Sequence, residues 1–120
     1  MAEQAFTTDR LTGWGGQSHL LTWKRLRVGD VGTACHLLGT ADRCAQVTGS
    51  FGVGGAVVLE GSLDGVVYAP LTEPGGLRWH VQAPRLASIT EATVWMRPRV
   101  VSGDPQTEVT VQLLVRVARV

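Results

Sequence analysis

The chain predicts an all-β fold, an antiparallel β-sandwich of jelly-roll type, and three observations carry that expectation. An Asp-Gly pair, Asp64-Gly65, sits between two apolar runs in VVLEGSLDGVVYAPL, Val57 to Leu71. Asp-Gly supplies the positive φ that tight hairpin turns require. The closing stretch alternates strictly, with Val109, Val111, Leu113, Val115 and Val117 against Thr110, Gln112, Leu114, Arg116 and Ala118. Side chains of a strand point to opposite faces in turn, so this stretch reads as a core strand. Turn signals recur about every ten residues and no long helical period intervenes, the pattern of a sandwich, with a small barrel as the alternative.

In chain order, residues 1–18 are polar and glycine-rich around Gly13-Trp14-Gly15-Gly16 and read as an extended N-terminal arm preceding a sandwich domain over 19–120. Trp14, an aromatic ring between glycines, needs cover from its own domain or from a neighbouring subunit. From His19 to Val28 the apolar positions Leu20, Leu21, Trp23, Leu26 and Val28 change parity midway, which a β-bulge near Lys24 reconciles. Gly32 to Leu38 offers a short strand, Gly39 to Arg43 a loop, and Cys44 to Phe51 a half-buried strand with Ala45, Val47 and Phe51 on one face. Gly52-Val53-Gly54-Gly55 turns into the Asp64-Gly65 hairpin. With a two-residue turn, Leu63 meets Val66, Gly61 meets Tyr68 and Leu59 meets Pro70, so that the Tyr68 ring lies over the bare backbone of Gly61.

Leu77 to Gln82, with Trp79, reads as a further short strand, and Ala87 to Ala92 as either a helical turn or a strand. Thr93 to Val101 places Val94, Met96 and Val100 on one face and Trp95, Arg97 and Arg99 on the other. Pro98 has no N–H to donate, which argues for a sheet edge or a bulge there.

Composition narrows the function classes. With 120 residues, 44% of them hydrophobic and 18% charged, the chain has enough apolar material for one core. Eleven basic against ten acidic residues leave a net charge of +1, which argues against a nucleic-acid binder. Lys24 is the single lysine, so the remaining basic residues are arginines, the cation favoured at protein interfaces, with genomic base composition as the alternative reason for the bias. No stretch has the pattern of a secretory signal or the roughly 20 apolar residues that cross a bilayer, so synthesis in a cytoplasm and no membrane partner are expected. Cys35 and Cys44 lack paired zinc-site spacing and read as free thiols, with a short-loop disulfide as the alternative.

Catalytic chemistry finds no footing. His19, His36 and His80 sit in no triad motif, and GxSxG is absent. Gly52 to Gly55 has neither the lysine nor the helix start of a phosphate loop. Asp42, Asp64 and Asp104 read as turn formers, because the dense ligand spacing of a calcium loop is missing. No metal, no cofactor and no enzymatic activity are expected. Four tryptophans, Trp14, Trp23, Trp79 and Trp95, would suit a sugar-stacking platform, but core and interface packing explains them more economically. Trp and Arg are the residues enriched at binding hot spots. The candidate protein interface is therefore Trp14, Trp95, Arg97 and Arg99 together with Tyr68 of the two-sided hairpin.

The string ADRCAQVTGSFGVGGAVVLEGSLDGVVYAPL from Ala41 to Leu71, then WMRPRVVSGD from Trp95 and the valine-rich closing strand, resembles small structural proteins of tailed bacteriophages, in particular capsid cement or decoration proteins. The resemblance spans about residues 20 to 120, and GSFGxGGxVxLEGSxDGxxYxxL is its most specific part. It implies a non-enzymatic β-sandwich on the capsid exterior, assembled in the host cytoplasm. Such a protein clamps neighbouring major capsid protein subunits, as a homodimer or other small homo-oligomer, with an arm reaching across the shell. A neck or tail component of the virion is the nearest alternative. The hairpin around Glu60 to Gly65 also resembles one in discoidin-type carbohydrate-binding jelly rolls, which commonly have Trp and Asn where this chain has Tyr68 and Leu63. A carbohydrate-binding module is accordingly the alternative from another class.

Overall fold

The computed structural model describes residues 3–13 and 16–117. Their strands are β1 (Glu3–Gln4), β2 (Thr7–Gly13), β3 (Gly16–Leu26), β4 (Val31–Gly32), β5 (Cys35–His36) and β6 (Thr40–Ser50). They continue with β7 (Ala56–Ser62), β8 (Ala69–Pro70), β9 (His80–Val81), β10 (Arg85–Ser88), β11 (Trp95–Ser102) and β12 (Glu108–Val117). No helix occurs among the described residues. Two sheets form an antiparallel-rich sandwich. The five-stranded sheet runs β10-β6-β12-β3-β2, and the seven-stranded sheet runs β1-β4-β11-β7-β8 with β5 also on β11 and β9 also on β7.

Alternation built the centre of the five-stranded sheet. Val109, Val111, Leu113 and Val115 of β12 point inward beside Ala45 and Val47 of β6 and Leu21 and Trp23 of β3. Across the core stand Val57 and Leu59 of β7, Met96 and Val100 of β11, and Leu37, Leu71 and Trp79. Trp23 and Trp79 are fully buried, and each donates its indole N–H to a backbone carbonyl, that of Thr33 in the β4–β5 loop at 3.1 Å and that of Ser88 at the end of β10 at 3.0 Å. A buried donor left unpaired would cost about 1–3 kcal/mol. These bonds therefore tie the β4–β5 loop and the end of β10 to the rings.

The parity change in β3 is a bulge. Leu26 pairs with Val109 and Trp23 with Val111, so two residues, Lys24 and Arg25, oppose Thr110 alone. Arg25 takes a positive φ of 57° and Leu26 regains the core.

Several expectations are corrected. The hairpin pairs Glu60 with Pro70 and Gly61 with Ala69, one register away from the expected pairing, so Tyr68 does not lie opposite Gly61. A Cβ on Gly61 would instead meet Thr93 and Leu71 at under 3 Å, so close packing rather than aromatic cover explains the glycine. Pro98 lies in a central strand, not at an edge. β4 pairs at Arg99 and β5 at Met96, leaving a gap opposite Pro98 where no donor is needed. Gly32 sits in that gap, where a Cβ would strike the Pro98 ring and Trp23 at 2.6 Å. β6 starts at Thr40, so Asp42 belongs to a strand and pairs with Arg116 instead of forming a turn. Residues 85–88 are a strand, paired with β6. Within the expected arm, β1 joins β4 in parallel and β2 pairs along β3 as the outer strand of the five-stranded sheet. Thr7 to Leu11 are nevertheless exposed on both faces of that strand. Trp14 lies outside the described residues.

Cys35 and Cys44 are both free thiols. Burial pushes the Cys35 thiol up to about 12, while Cys44 is half-exposed on the outside of β6. A thiol reagent in dilute solution at pH 8 is expected to label Cys44 alone, and both cysteines after denaturation. Mass spectrometry of the labelled chain checks this, and native labelling of Cys35 would contradict the packing described.

Candidate docking surface

The outward side chains of β11 and β7 lie in register on the outer face of the seven-stranded sheet. Trp95 stands beside Ser62, Arg97 beside Glu60, and Arg99 beside Val58. Every residue of β7 is buried, including the outward-facing Val58, Glu60 and Ser62. Glu60 is thus a covered carboxylate, 5% exposed, and must be compensated. The Arg97 Nε–H donates to its Oε1 at 2.7 Å, and the Arg99 Nη2 stands 3.6 Å from its Oε2. Two guanidinium groups meet one carboxylate. The surface retains one excess positive charge, carried mainly by the half-exposed Arg99.

Tyr68 completes this group. The Arg97 guanidinium lies 3.8 Å from its ring centroid, so one aromatic face is occupied by a cation. Trp95 receives His36 of β5 edge-on, with ring centroids 4.7 Å apart and planes at 70°. Four of the five expected interface residues, Trp95, Arg97, Arg99 and Tyr68, therefore share one face of the sandwich. The fifth, Trp14, is outside the described residues.

The loop over this face, residues 63–68, is where sequence reasoning fell short. Ser62 and Asp64 replace a simple two-residue turn with side-chain caps. The Asp64 Oδ1 accepts backbone N–H groups of Val66 at 2.8 Å and Val67 at 2.9 Å, together with the Ser62 hydroxyl at 2.9 Å. The Ser62 Oγ in turn accepts from the N–H of Gly65 at 2.9 Å. Gly65 has a φ of +78° and lies against the Trp95 indole, so the position favours glycine in conformation and in space. The backbone bonds from Val67 and Val66, then the Ser62 hydroxyl, hold the Asp64 carboxyl below its ordinary value. Since a depressed carboxylate stabilises above its ordinary pKa and loses that contribution as pH falls through the lowered one, the caps stay formed throughout the neutral range.

The tip so fixed turns its aliphatic side chains to water. Leu63 is 73% exposed, Val66 80% and Val67 71%. The signal in the sequence was Ser-Leu-Asp-Gly itself, since Ser and Asp two apart favour Asx-type capping over a clean hairpin. Asp104 does the same at the other end of the molecule, accepting N–H groups from Val53 at 2.9 Å and Gln106 at 2.8 Å, in keeping with its expected turn role.

Among the described residues no group of three His, Cys, Asp or Glu side chains is placed to hold a metal ion. His36 and His80 lie on the outer face of the seven-stranded sheet, opposite Trp95 and Val58, and His19 lies on β3. The four tryptophans form no common platform, since Trp23 and Trp79 are in the core.

No family model and no curated protein matches the chain. Among solved structures the chain is similar to a carbohydrate-binding module, CBM6cm-2 from Cellvibrio mixtus lichenase 5A in complex with cellotriose. That similarity covers 96% of this chain and 87% of the other, at 10% identity and a TM-score of 0.26, a level that carries no argument about ligands. The sandwich is defined by its own two sheets.

Proposed function

We propose that the chain is a non-enzymatic capsid decoration protein of a tailed bacteriophage, which binds and stabilises neighbouring major capsid protein subunits from the shell exterior. The sequence resemblance supplies the setting. The observation that carries the reading is the capped loop with Leu63, Val66 and Val67 in water. Full burial of such side chains yields about 1.5–3 kcal/mol each. Because the loop is already held by Asp64 and Ser62, little ordering entropy opposes docking. Beside the tip, Trp95, Tyr68 and the two arginines give an aromatic and cationic flank suited to a partner that presents carboxylates around an apolar socket. Repetition of such a contact around a shell adds avidity.

Sugar binding is less well supported, because Arg97 covers one face of Tyr68 and Gly65 packs on the Trp95 indole, where a sugar ring would stack. Co-sedimentation with shells assembled from the major capsid protein is the direct test, with an oligosaccharide affinity gel in parallel. The chain is expected to pellet with shells and to migrate freely through the gel. Retardation by the sugar with no pelleting would replace this reading by a carbohydrate-binding one, and retention on necks or tails alone would move the site of action within the virion.

A further inference from the structure

The second outer face of the sandwich differs in kind from the first. On the five-stranded sheet, Cys44, Gln46 and Thr48 of β6 point outward beside Leu114, Gln112 and Thr110 of β12, flanked by Leu20 of β3 and Leu86 of β10. No charged residue stands in this central block. Solvated protein surfaces carry about 25–35% charged residues, so a block of this size would ordinarily hold two or three. The charges of this face lie at its margins: the Arg116–Asp42 pair at one end, Lys24 and Arg25 of the β3 bulge opposite Thr110 and Glu108 bonded to Arg27 at the other, and Asp9 on the edge strand. Within the block Leu86 is 63% exposed and Leu114 40% exposed.

We infer that this face is a self-association surface, occupied by the same face of a second copy of the chain. A two-fold contact sets each residue near the axis against its own copy, so any central charge meets a like charge. The block of Leu, Thr and Gln avoids that repulsion, and threonine and glutamine pair with themselves because each both donates and accepts hydrogen bonds. The opposite face fails the same test, since Arg97 and Arg99 would face their own copies; it suits a foreign partner instead. Size sets the scale of the contact. Strands about 4.8 Å apart and rising about 3.4 Å per residue make the five-stranded face about 24 Å wide and, over seven residues, about 24 Å long. That outline is about 580 Å², the scale of a small interface and below the ~800 Å² per partner of a standard one. Two copies joined in this way would turn their Leu63–Val67 tips away from each other, one for each neighbouring partner.

Sedimentation equilibrium of the full chain from micromolar to hundred-micromolar concentration tests the inference, with circular dichroism reporting the fold. A dimer is expected. Leu114→Arg or, independently, Gln112→Arg should weaken it at least tenfold while the fold persists, because both side chains are on the outside of the sheet. Val53→Arg, at an exposed loop position away from both faces, should leave it unchanged. Labelling of Cys44 should slow as concentration rises, and in Leu114→Arg it should not. A monomer throughout the range, or equal weakening by Val53→Arg and Leu114→Arg, would overturn the assignment. Capsid attachment is read separately, so a monomer that still pellets with shells removes this inference and leaves the decoration role standing.

Discussion

Trp23→Ala is expected to cost about 3–5 kcal/mol of folding stability, the range for deleting a large buried aromatic side chain. Three structural reasons place it at the upper end. The ring is fully buried and packs against Phe6 with centroids 5.3 Å apart, so its loss opens a cavity and also uncovers a residue between β1 and β2. The Thr33 carbonyl loses the indole N–H that satisfies it. The gap between β4 and β5, which makes room for Pro98, also loses the wall against which Gly32 is fitted. In a domain whose total stability is about 5–15 kcal/mol, such a change removes a large share. Urea unfolding followed by circular dichroism checks it, and a loss below about 1 kcal/mol would show that Trp23 does not organise the core as described.

Replacing Leu63, Val66 and Val67 together by serine is expected to lower affinity for capsid shells about a hundredfold, roughly 2.7 kcal/mol. The urea midpoint should stay where it is. All three side chains are more than two-thirds exposed, so the isolated fold gains little from them. The Ser62 and Asp64 caps bond to backbone N–H groups that the substitutions retain, so the loop keeps its shape. What is lost is apolar surface available to a partner, which separates a docking role from a structural one. Undiminished pelleting with shells would show that the tip is not what docks.

The sequence made some elements plain and concealed others for identifiable reasons. β12 and the centre of β6 were legible because one face is buried and the other is not, which writes period two into the residues. The bulge of β3 was legible because Leu26 had to return to the core after Trp23. The hairpin register was not, because Ser62 and Asp64 cap the turn with side chains and shift the pairing by one residue, which exchanges the faces of everything after it. Pro98 misled because its missing donor falls opposite an interruption between β4 and β5, and a single strand's sequence does not reveal a gap in its neighbour. β2 gave no pattern at all: Thr7 to Leu11 are exposed on both faces, and the strand is held by backbone pairing to β3. Of the candidate site, Trp95, Arg97 and Arg99 followed from alternation alone, and Tyr68 joined them through Arg97. The apolar tip was hidden within a supposed strand pair.

Electron cryomicroscopy of capsid shells incubated with the chain tests the central claim most directly, because it shows which face of the sandwich meets the shell. The expected map places the loop from Leu63 to Val67 in an apolar recess of the shell, with Arg97 and Arg99 beside carboxylates. A map in which that loop and the outer face of the seven-stranded sheet point into solvent would contradict it.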